Sequence, residues 1–288
     1  MRRLALALTL SCLALPLSHA ATVPPAIFTD PARDKDHPAT MTVLHVPVNG
    51  TTLNGIAYVP GGAGPHPVLV ICHGLPGNEK NLDLAQAVRR AGWVAVTFNY
   101  RGSWGSSGTF SFSGNLEDAA AVLAYLREPA TARMLRADAN RMVIAGHSMG
   151  GWVAAKTAEN DGRLSGAILI SAADFSRLAG MPHPDLQALM ADNMESLAGV
   201  TAESMAREVE ANSASYDIRG NAVALKDLPL LVLTSDDGLA PYMDALVAAV
   251  RAEGGHHVTT AHVATDHGWS DRRIDLESRV IRWLQYLR

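Results

Sequence analysis

The feature that most constrains this chain is a glycine-rich hexapeptide, Gly-His-Ser-Met-Gly-Gly, at residues 146–151. A short, bounded and mainly apolar run precedes it at residues 141–145 and is typical of a buried strand in a parallel sheet. The alanine-rich stretch 152–159 follows it, and this stretch predicts a helix because it has no proline or internal glycine. The sequence therefore predicts a sharp strand-to-helix turn with Ser148 at its apex.

The glycines of this turn have a steric role. Gly146 and Gly150 flank Ser148, so no β-carbon presses on a residue in strained φ/ψ space, and Gly151 lets the helix start close to the sheet. The turn raises the serine hydroxyl above the strand ends and points the first free helix amides at the same place. A Gly-x-Ser-x-Gly pattern in this context is typical of a nucleophile elbow. The alternative is a glycine-rich turn that only joins two elements.

A serine hydroxyl is a poor nucleophile at neutral pH, so the elbow requires a base, an acid that orients the base, and donors for an oxyanion. Such donors are predicted where the apolar strand 67–72 ends in His-Gly-Leu-Pro-Gly-Asn. The glycines allow close backbone approach, and the amide of Leu75 can pair with that of Met149 to hold a developing negative charge. His73 precedes the elbow along the chain, and we expect it to brace this loop rather than to act as the base.

The acid is expected where a third apolar strand, residues 228–234, runs into Ser-Asp-Asp-Gly-Leu-Ala-Pro. A carboxylate at such a strand end can accept a hydrogen bond from imidazole and fix its tautomer. Asp236 and Asp237 compete for this role. Asp237 is favoured because it fits an Asp-x-x-Ala-Pro turn whose proline opens the next helix. An Asp-Asp-Gly turn without catalytic duty is the alternative interpretation.

His267 is the predicted base, since it lies in a polar loop between the last strand and the terminal helix. Gly268 gives this loop conformational freedom, and Ser270 is the predicted N-cap of the helix. The alternation at residues 257–263 predicts the strand itself, with His262 on one of its faces. A surface histidine without a catalytic role is the alternative for His267.

The chain order Ser148, Asp237, His267 is the order found in α/β-hydrolases and differs from the orders of chymotrypsin and subtilisin. With the loops described above, these motifs resemble the α/β-hydrolase superfamily over roughly residues 42 to 288. The resemblance implies the α/β-hydrolase fold and a catalytic triad of these three residues.

A Tyr-Arg-Gly segment at residues 98–108 narrows the resemblance. It is similar to a loop of bacterial esterases, monoacylglycerol-lipase-like hydrolases and prolyl-oligopeptidase-like peptidases, in which it borders the substrate cleft. The resemblance therefore implies a secreted bacterial esterase or a serine aminopeptidase of the prolyl-oligopeptidase-like branch. Arg101 is predicted to pair with Asp118 on the following helix, and contact with substrate is the alternative.

Strands and helices alternate through most of the chain, which predicts one α/β domain at residues 41–288 with a mostly parallel, doubly wound sheet. An Asn-Gly pair at residues 49–50 predicts a hairpin. The length of 288 residues and the hydrophobic content of 48% suffice for one large core. The alternation stops at about 172–227, where a small helical cap insertion is predicted. Its methionines either adapt to an apolar acyl group or pack the insertion onto the body.

The first 20 residues predict a secretory signal peptide. A basic start precedes an apolar run at residues 4–17 that is too short to span a bilayer, and a small-residue cleavage site ends at Ala20. Residues 21–40 are proline-rich and predict an extended leader. We therefore expect a secreted or periplasmic protein without a stable membrane anchor, and a lipid anchor at Cys12 is the rival interpretation.

Composition argues against several other classes of protein. The net charge of -4 leaves no basic footprint for nucleic acid. The histidines lack the helical spacing of a metal site, the two cysteines are not clustered, and no dinucleotide or phosphate-binding fingerprint is present, so neither a metal nor a cofactor is expected. Cys72 ends a strand and is predicted to be an inert core thiol.

These residues predict a serine hydrolase that acts through an acyl-enzyme. Ser148 is the predicted nucleophile, His267 the base and Asp237 the orienting acid. The amides of Leu75 and Met149 are the predicted oxyanion donors. A carboxylic ester is the first expected substrate, because esters need less protonation of the leaving group than amides do. A peptidase or aminopeptidase is the alternative, and a catalytically silent hydrolase fold that serves as a binding protein is a third hypothesis.

Overall fold

Eight strands form one sheet in the order β1-β2-β4-β3-β5-β6-β7-β8 in the computed structural model, which describes residues 22–287. The predicted signal peptide lies outside the described residues. The strands are β1 (Thr40–Val48), β2 (Thr51–Val59), β3 (His66–Cys72), β4 (Val94–Phe98), β5 (Ala137–His147), β6 (Gly166–Ile170), β7 (Leu230–Ser235) and β8 (Val258–Val263). The ladders among β3 to β8 are parallel, whereas β1 pairs antiparallel with β2 and β2 antiparallel with β4.

Burial explains why the strands differ in sequence. Strands β4, β6 and β7 are buried at every position, as expected of parallel strands covered on both faces. The outer strand β1 instead alternates exposed and buried residues over much of its length. Asn49 and Gly50 join β1 to β2 with φ of 44° and 75°, the left-handed conformation that a tight hairpin requires. The predicted hairpin is therefore confirmed.

Helices cover both faces of the sheet. They are α1 (Leu82–Arg90), α2 (Phe112–Arg127), α3 (Pro129–Leu135), α4 (Met149–Asn160), α5 (Phe175–Leu178), α6 (His183–Ala191), α7 (Ala202–Tyr216), α8 (Ala240–Ala252) and α9 (Arg273–Tyr286). Buried side chains of α2, α4 and α8 form one hydrophobic cluster with the sheet, and those of α1 and α9 form a second. The predicted doubly wound α/β architecture is thus confirmed, because the two clusters lie on opposite faces of the strands.

The segment between β6 and β7, where the cap was predicted, contains α5, α6, α7 and a short 3-10 helix, Ala222–Leu225. Its α7 begins with a capping box between Thr201 and Ser204. At the other end of α7, the backbone carbonyl of Tyr216 accepts a hydrogen bond of 2.9 Å from Trp152 Nε1 on α4. The segment is therefore packed onto the helix that follows Ser148.

The methionines of this segment do not all face one cleft. Met190 and Met205 are buried in the larger hydrophobic cluster, and Met181 and Met194 pack against it. Their positions favour a packing role over a dedicated acyl surface.

None of the helices within residues 22–287 has the length and apolar character needed to cross a bilayer.

The leader contains a 3-10 helix, Pro25–Ile27, that is held against the body of the protein. Arg90 at the end of α1 donates hydrogen bonds of 2.5 Å and 2.9 Å to the backbone carbonyls of Ala26 and Ile27. Arg136 likewise donates to the carbonyls of Pro38 and Pro60. The leader therefore follows the end of the sheet that is opposite the Ser148 turn.

Candidate active site

Ser148 lies in a strained turn between β5 and α4. Its φ of 58° and ψ of -122° place a non-glycine residue at positive φ, which costs conformational energy. A β-carbon on Gly146 would lie 1.9 Å from the carbonyl oxygen of Gly150, and one on Gly150 would lie 2.0 Å from that of Cys72. Neither position can hold a side chain. The predicted strand-to-helix turn is thus confirmed, with α4 beginning at Met149 directly after the serine.

The glycine-rich loop after β3 passes directly beside Ser148. A β-carbon on Gly74 would lie 3.1 Å from the β-carbon of Ser148 and 3.6 Å from its Oγ. Leu75 follows in this loop and lines the same cavity as the serine. Met149 is buried as the first residue of α4, so its amide belongs to the unpaired amino end of that helix. The two predicted oxyanion residues therefore flank the serine.

The buried side chain of His73 holds this loop through a hydrogen bond to its backbone. Its Nδ1 lies 2.8 Å from the carbonyl oxygen of Gly74, which can only accept, so Nδ1 carries the proton. Burial lowers the pKa of His73 to about 4, which keeps the imidazole neutral. The Tyr100 hydroxyl donates to the His73 carbonyl at 3.2 Å. This buried position agrees with the predicted bracing role.

Trp104 holds the same loop from its outer side. Its Nε1 donates to the carbonyl of Pro76 at 2.6 Å, and the Ser196 hydroxyl donates to the same oxygen at 3.0 Å. The Lys80 ammonium lies 4.3 Å from the Trp104 ring centroid, within the range of a cation–π contact. The sequence pattern did not predict this role of Trp104. The signal available was one large aromatic residue among glycines and serines at a strand end.

His267 and Asp237 form the expected imidazole–carboxylate pair. Nδ1 of His267 lies 2.8 Å from Oδ2 of Asp237, whose side chain is 4% exposed. Burial by itself raises the pKa of Asp237, but hydrogen bonds from His267, the Leu239 amide and Ser235 outweigh it and hold that pKa below its usual value. Asp237 is therefore an anionic acceptor at neutral pH. Nδ1 of His267 donates to this carboxylate, and the neutral tautomer selected by that hydrogen bond has an Nε2 that can accept a proton.

Asp236 makes a separate pair. Its carboxylate is 61% exposed and lies 2.9 Å from Nε2 of His262, which is located on β8 as predicted. Nδ1 of His262 lies 3.0 Å from the Thr234 hydroxyl. The structure thus gives each adjacent aspartate its own histidine, and it is Asp237 that contacts His267.

The loop of His267 differs from the prediction in one respect. Helix α9 begins at Arg273 with Arg272 as its N-cap, so the prediction of Ser270 as N-cap is wrong. The Ser270 amide instead donates at 2.7 Å to the Asp266 carboxylate. The side chain that was predicted to cap the helix thus belongs to an earlier turn, because the loop makes an additional bend before α9.

Ser148 and His267 line one cavity of about 200 Å³ at the carboxyl ends of β3 and β5. Residues 74–79, His147 and Gly268 form the rest of its wall. A larger cavity of about 500 Å³ lies beside the leader, lined by Arg89, Arg90 and Arg141 among others. Neither a serine nor a histidine lines that larger cavity, so the smaller one is the candidate catalytic cavity.

Two further predicted residues occupy structural positions. Arg101 donates to Asp118 through its backbone amide at 2.7 Å and its Nε at 2.6 Å, which confirms the predicted pairing. Cys72 is buried and free, and burial raises the pKa of its thiol to about 12, so it is no thiolate nucleophile. Within residues 22–287, no three histidine, cysteine or acidic side chains lie close enough together to hold a metal ion.

The chain belongs to the serine aminopeptidase S33 family, whose model matches residues 63–233. Its fold is that of the α/β-hydrolases, and similar solved structures include esterases and peptidases. The esterase of Pyrobaculum calidifontis is 19% identical and covers 88% of this chain and 87% of its own, with a TM-score of 0.65. The acylaminoacyl peptidase of Pyrococcus horikoshii is also 19% identical. The match covers 86% of this chain and 41% of the peptidase, with a TM-score of 0.64.

A curated relative is the quorum-quenching protein AidA of Acinetobacter baumannii, which is 32% identical over 126 residues. The match covers 42% of this chain and 40% of that protein, so less than half of the relative's length is spanned. The family match and the shared fold together place this chain among the α/β-hydrolases.

The two aspartates provide a matched test of the acid. We expect Asp237→Asn to lower kcat by about 10³- to 10⁴-fold, because an amide no longer favours the required tautomer of His267. Asp236→Asn removes an equally adjacent carboxylate that contacts His262 instead, and we expect kcat within about threefold of the wild type, as for an exposed surface substitution. Steady-state hydrolysis of p-nitrophenyl butyrate measures both. A larger loss in Asp236→Asn would contradict the assignment.

Proposed function

We propose that this protein hydrolyses carboxylic esters through an acyl-enzyme, with Ser148 as nucleophile, His267 as general base and Asp237 as the orienting acid. The observation that carries the proposal is convergence. The strained serine, the loop beside it and the His267–Asp237 pair come from distant parts of the chain, and both Ser148 and His267 face the same small cavity. Separate structural duties do not explain why these groups meet at one place.

The first chemical step of the proposed mechanism is the attack of Ser148 on the ester. Nε2 of His267 takes the proton of the Ser148 hydroxyl as Oγ attacks the ester carbonyl carbon. The carbonyl oxygen becomes an oxyanion, which accepts hydrogen bonds from the amides of Leu75 and Met149. Each such donor contributes about 10²- to 10³-fold to the rate. The imidazolium then protonates the departing alkoxide, and the acyl group stays on Ser148.

The second step reverses the proton movements. His267 removes a proton from water, the hydroxide attacks the acyl carbonyl, and the collapsing intermediate releases the acid while Ser148 regains its proton. The anionic Asp237 stabilises the imidazolium in both steps, because it is nearly buried and its charge is poorly screened by solvent. The amino end of α4 adds a favourable dipole at the oxyanion.

The loop after β3, residues 73–78, is here called the oxyanion loop, and its rigidity supports this mechanism. His73 holds the carbonyl of Gly74, while Trp104 and Ser196 both hold the carbonyl of Pro76. With these carbonyls engaged, the intervening backbone has little freedom to turn its amides away from the serine. Preorganised donors of this kind stabilise developing charge without a reorganisation cost at the moment of reaction.

Peptide hydrolysis is the second candidate, and the family match favours it, since the matching model describes a serine aminopeptidase. The ester proposal has two supports. Esters need less protonation of the leaving group than amides do, and the 200 Å³ cavity is below the usual size of sites for larger ligands. A silent binding role is disfavoured, because the candidate nucleophile Ser148 and the candidate base His267 line one cavity and His267 contacts the candidate acid Asp237.

Covalent labelling tests the nucleophile directly. We expect a fluorophosphonate probe to label the folded wild type, Ser148→Ala to abolish labelling, and His267→Ala to slow it by about 10³-fold or more through loss of the base. The matched control is His262→Ala, which removes a neighbouring histidine that has its own aspartate. An unlabelled wild type would sink the enzymatic proposal, and labelling of Ser148→Ala would move the nucleophile elsewhere.

The size of the cavity predicts the acyl preference. We expect p-nitrophenyl acetate and butyrate to have kcat/KM values about tenfold or more above that of the octanoate, because a small pocket rejects additional methylenes. Aminoacyl p-nitroanilides should react more slowly than the short esters. If amide turnover far exceeds ester turnover under the same conditions, the peptidase alternative replaces the ester proposal.

We propose further that the protein is exported and lacks a stable membrane anchor, on the basis of the signal-peptide pattern in residues 1–20. Mass spectrometry of protein recovered from the periplasm or medium of a Gram-negative host is expected to show a mature form beginning at Ala21. Full-length protein retained inside the cell would contradict export. A lipid-modified amino terminus at Cys12 would instead support the anchored alternative.

A further inference from the structure

His147, the last residue of β5, contacts the proposed base in two ways. Its ring lies 4.6 Å from the ring of His267, centroid to centroid, with an angle of 45° between the planes. Its Nε2 lies 2.7 Å from the backbone carbonyl oxygen of His267. A single buried side chain therefore touches both the ring and the backbone of the residue that must move the proton.

The hydrogen bond determines the tautomer of His147. A carbonyl oxygen can only accept, so Nε2 of His147 carries the hydrogen. Burial lowers the pKa of His147 to about 4, and the adjacent His267 shifts it in the same direction. His147 is therefore neutral near pH 7. A neutral ring packed against His267 does not repel the positive charge that His267 acquires during acyl transfer.

His267 needs such support, because its side chain is 43% exposed. Other contacts hold the residues that follow it. Arg273 donates to the carbonyl of Gly268 at 3.1 Å, and the indole of Trp269 donates to the Ser171 hydroxyl at 3.0 Å. The contact from His147 is made at the backbone of His267 itself. This hydrogen bond therefore holds the backbone of His267 in place, and the position of that backbone determines where the imidazole can lie.

The position of His147 also links the base to the nucleophile. His147 is joined to Ser148 by one peptide bond, and it pairs with Ile170 in the ladder between β5 and β6. Groups carried by regular elements are held more precisely than groups carried by loops. The loop that carries His267 is thereby fixed to the strand that carries the serine. A misplacement of about 1 Å between reacting groups can cost about 10²-fold in rate.

We propose that His147 is a positioning residue for acyl transfer, which holds the base in register with the nucleophile by donating to the His267 carbonyl and packing against the His267 ring. This proposal rests on the proposed roles of Ser148 and His267. It assigns no proton transfer to His147 itself. The residue acts through the geometry of His267, so its removal affects the chemical step more than substrate binding.

The test compares His147→Phe, which keeps an aromatic ring but loses the donor, with His147→Gln, whose amide nitrogen can reach the position of the histidine Nε2. We expect His147→Phe to lower kcat for p-nitrophenyl butyrate by about 10- to 100-fold and to slow fluorophosphonate labelling in parallel, with KM within about twofold. His147→Gln should recover a large part of this loss. A purely structural role would lower the unfolding temperature without this separation of kcat from KM.

His66→Phe is the matched control. Nε2 of His66 also lies within hydrogen-bond distance, 3.2 Å, of a backbone carbonyl, that of Gly62, but His66 is the first residue of β3, at the opposite end of the sheet. The same chemical change is made there far from Ser148. We expect kcat of His66→Phe to stay within about twofold of the wild type, as for a substitution remote from the site.

The outcomes separate this proposal from the one on which it rests. An unlabelled and inactive wild type would refute the proposed function, whereas an active wild type with His147→Phe and His147→Gln both at wild-type kcat would refute only the positioning role. An equal loss in His66→Phe would also refute it. If His147→Phe fails to fold, His147→Asn replaces it, because its amide is one methylene shorter than that of glutamine. Equal kcat values for His147→Gln and His147→Asn would then overturn the proposal.

Discussion

The site depends on one steric constraint, the close approach of three strand ends around Ser148. Gly146 lies against the carbonyl of Gly150, Gly150 against that of Cys72, and Gly151 against the β-carbon of Ala172, all within distances that exclude a side chain. These contacts bring the ends of β3, β5 and β6 together at the first turn of α4. The strained serine persists because its surroundings leave the backbone no alternative conformation. The oxyanion loop can approach Ser148 closely because it also has a glycine, Gly74, at the point of contact.

The three histidines of the site differ in burial and in hydrogen-bond partners, and these differences indicate different roles. His73 and His147 are buried, and the cost of placing a charge in an apolar interior lowers both of their pKa values to about 4. Each uses its one hydrogen to hold a backbone carbonyl. His267 is half exposed and faces an anionic aspartate. Of these three histidines, His267 is thus the one whose ring contacts a carboxylate.

Some features of the candidate site could be predicted from the sequence and others could not. The turn at Ser148 follows from local sterics, since few sequences place glycines on both sides of a serine between a strand and a helix. Asp237 was favoured over Asp236 on turn chemistry alone, and the structure places it on His267. Ser270 was predicted as an N-cap and is not one, because helix boundaries depend on where a loop bends as well as on residue type. No local pattern indicated the contacts of Trp104 with the oxyanion loop.

The sequence by itself determined the elements of this protein and their chemistry, because apolar periodicity and glycine sterics act over a few residues. Tertiary structure alone decided which groups meet. His267 and Asp237 are 30 positions apart, and His147 and the carbonyl of His267 are 120 apart. Contacts between residues so far apart in the sequence depend on the strand order and on the packing of the sheet. No short sequence pattern encodes either of these. The size of the cavity beside Ser148 was decided in the same way, because its walls come from loops that follow different strands.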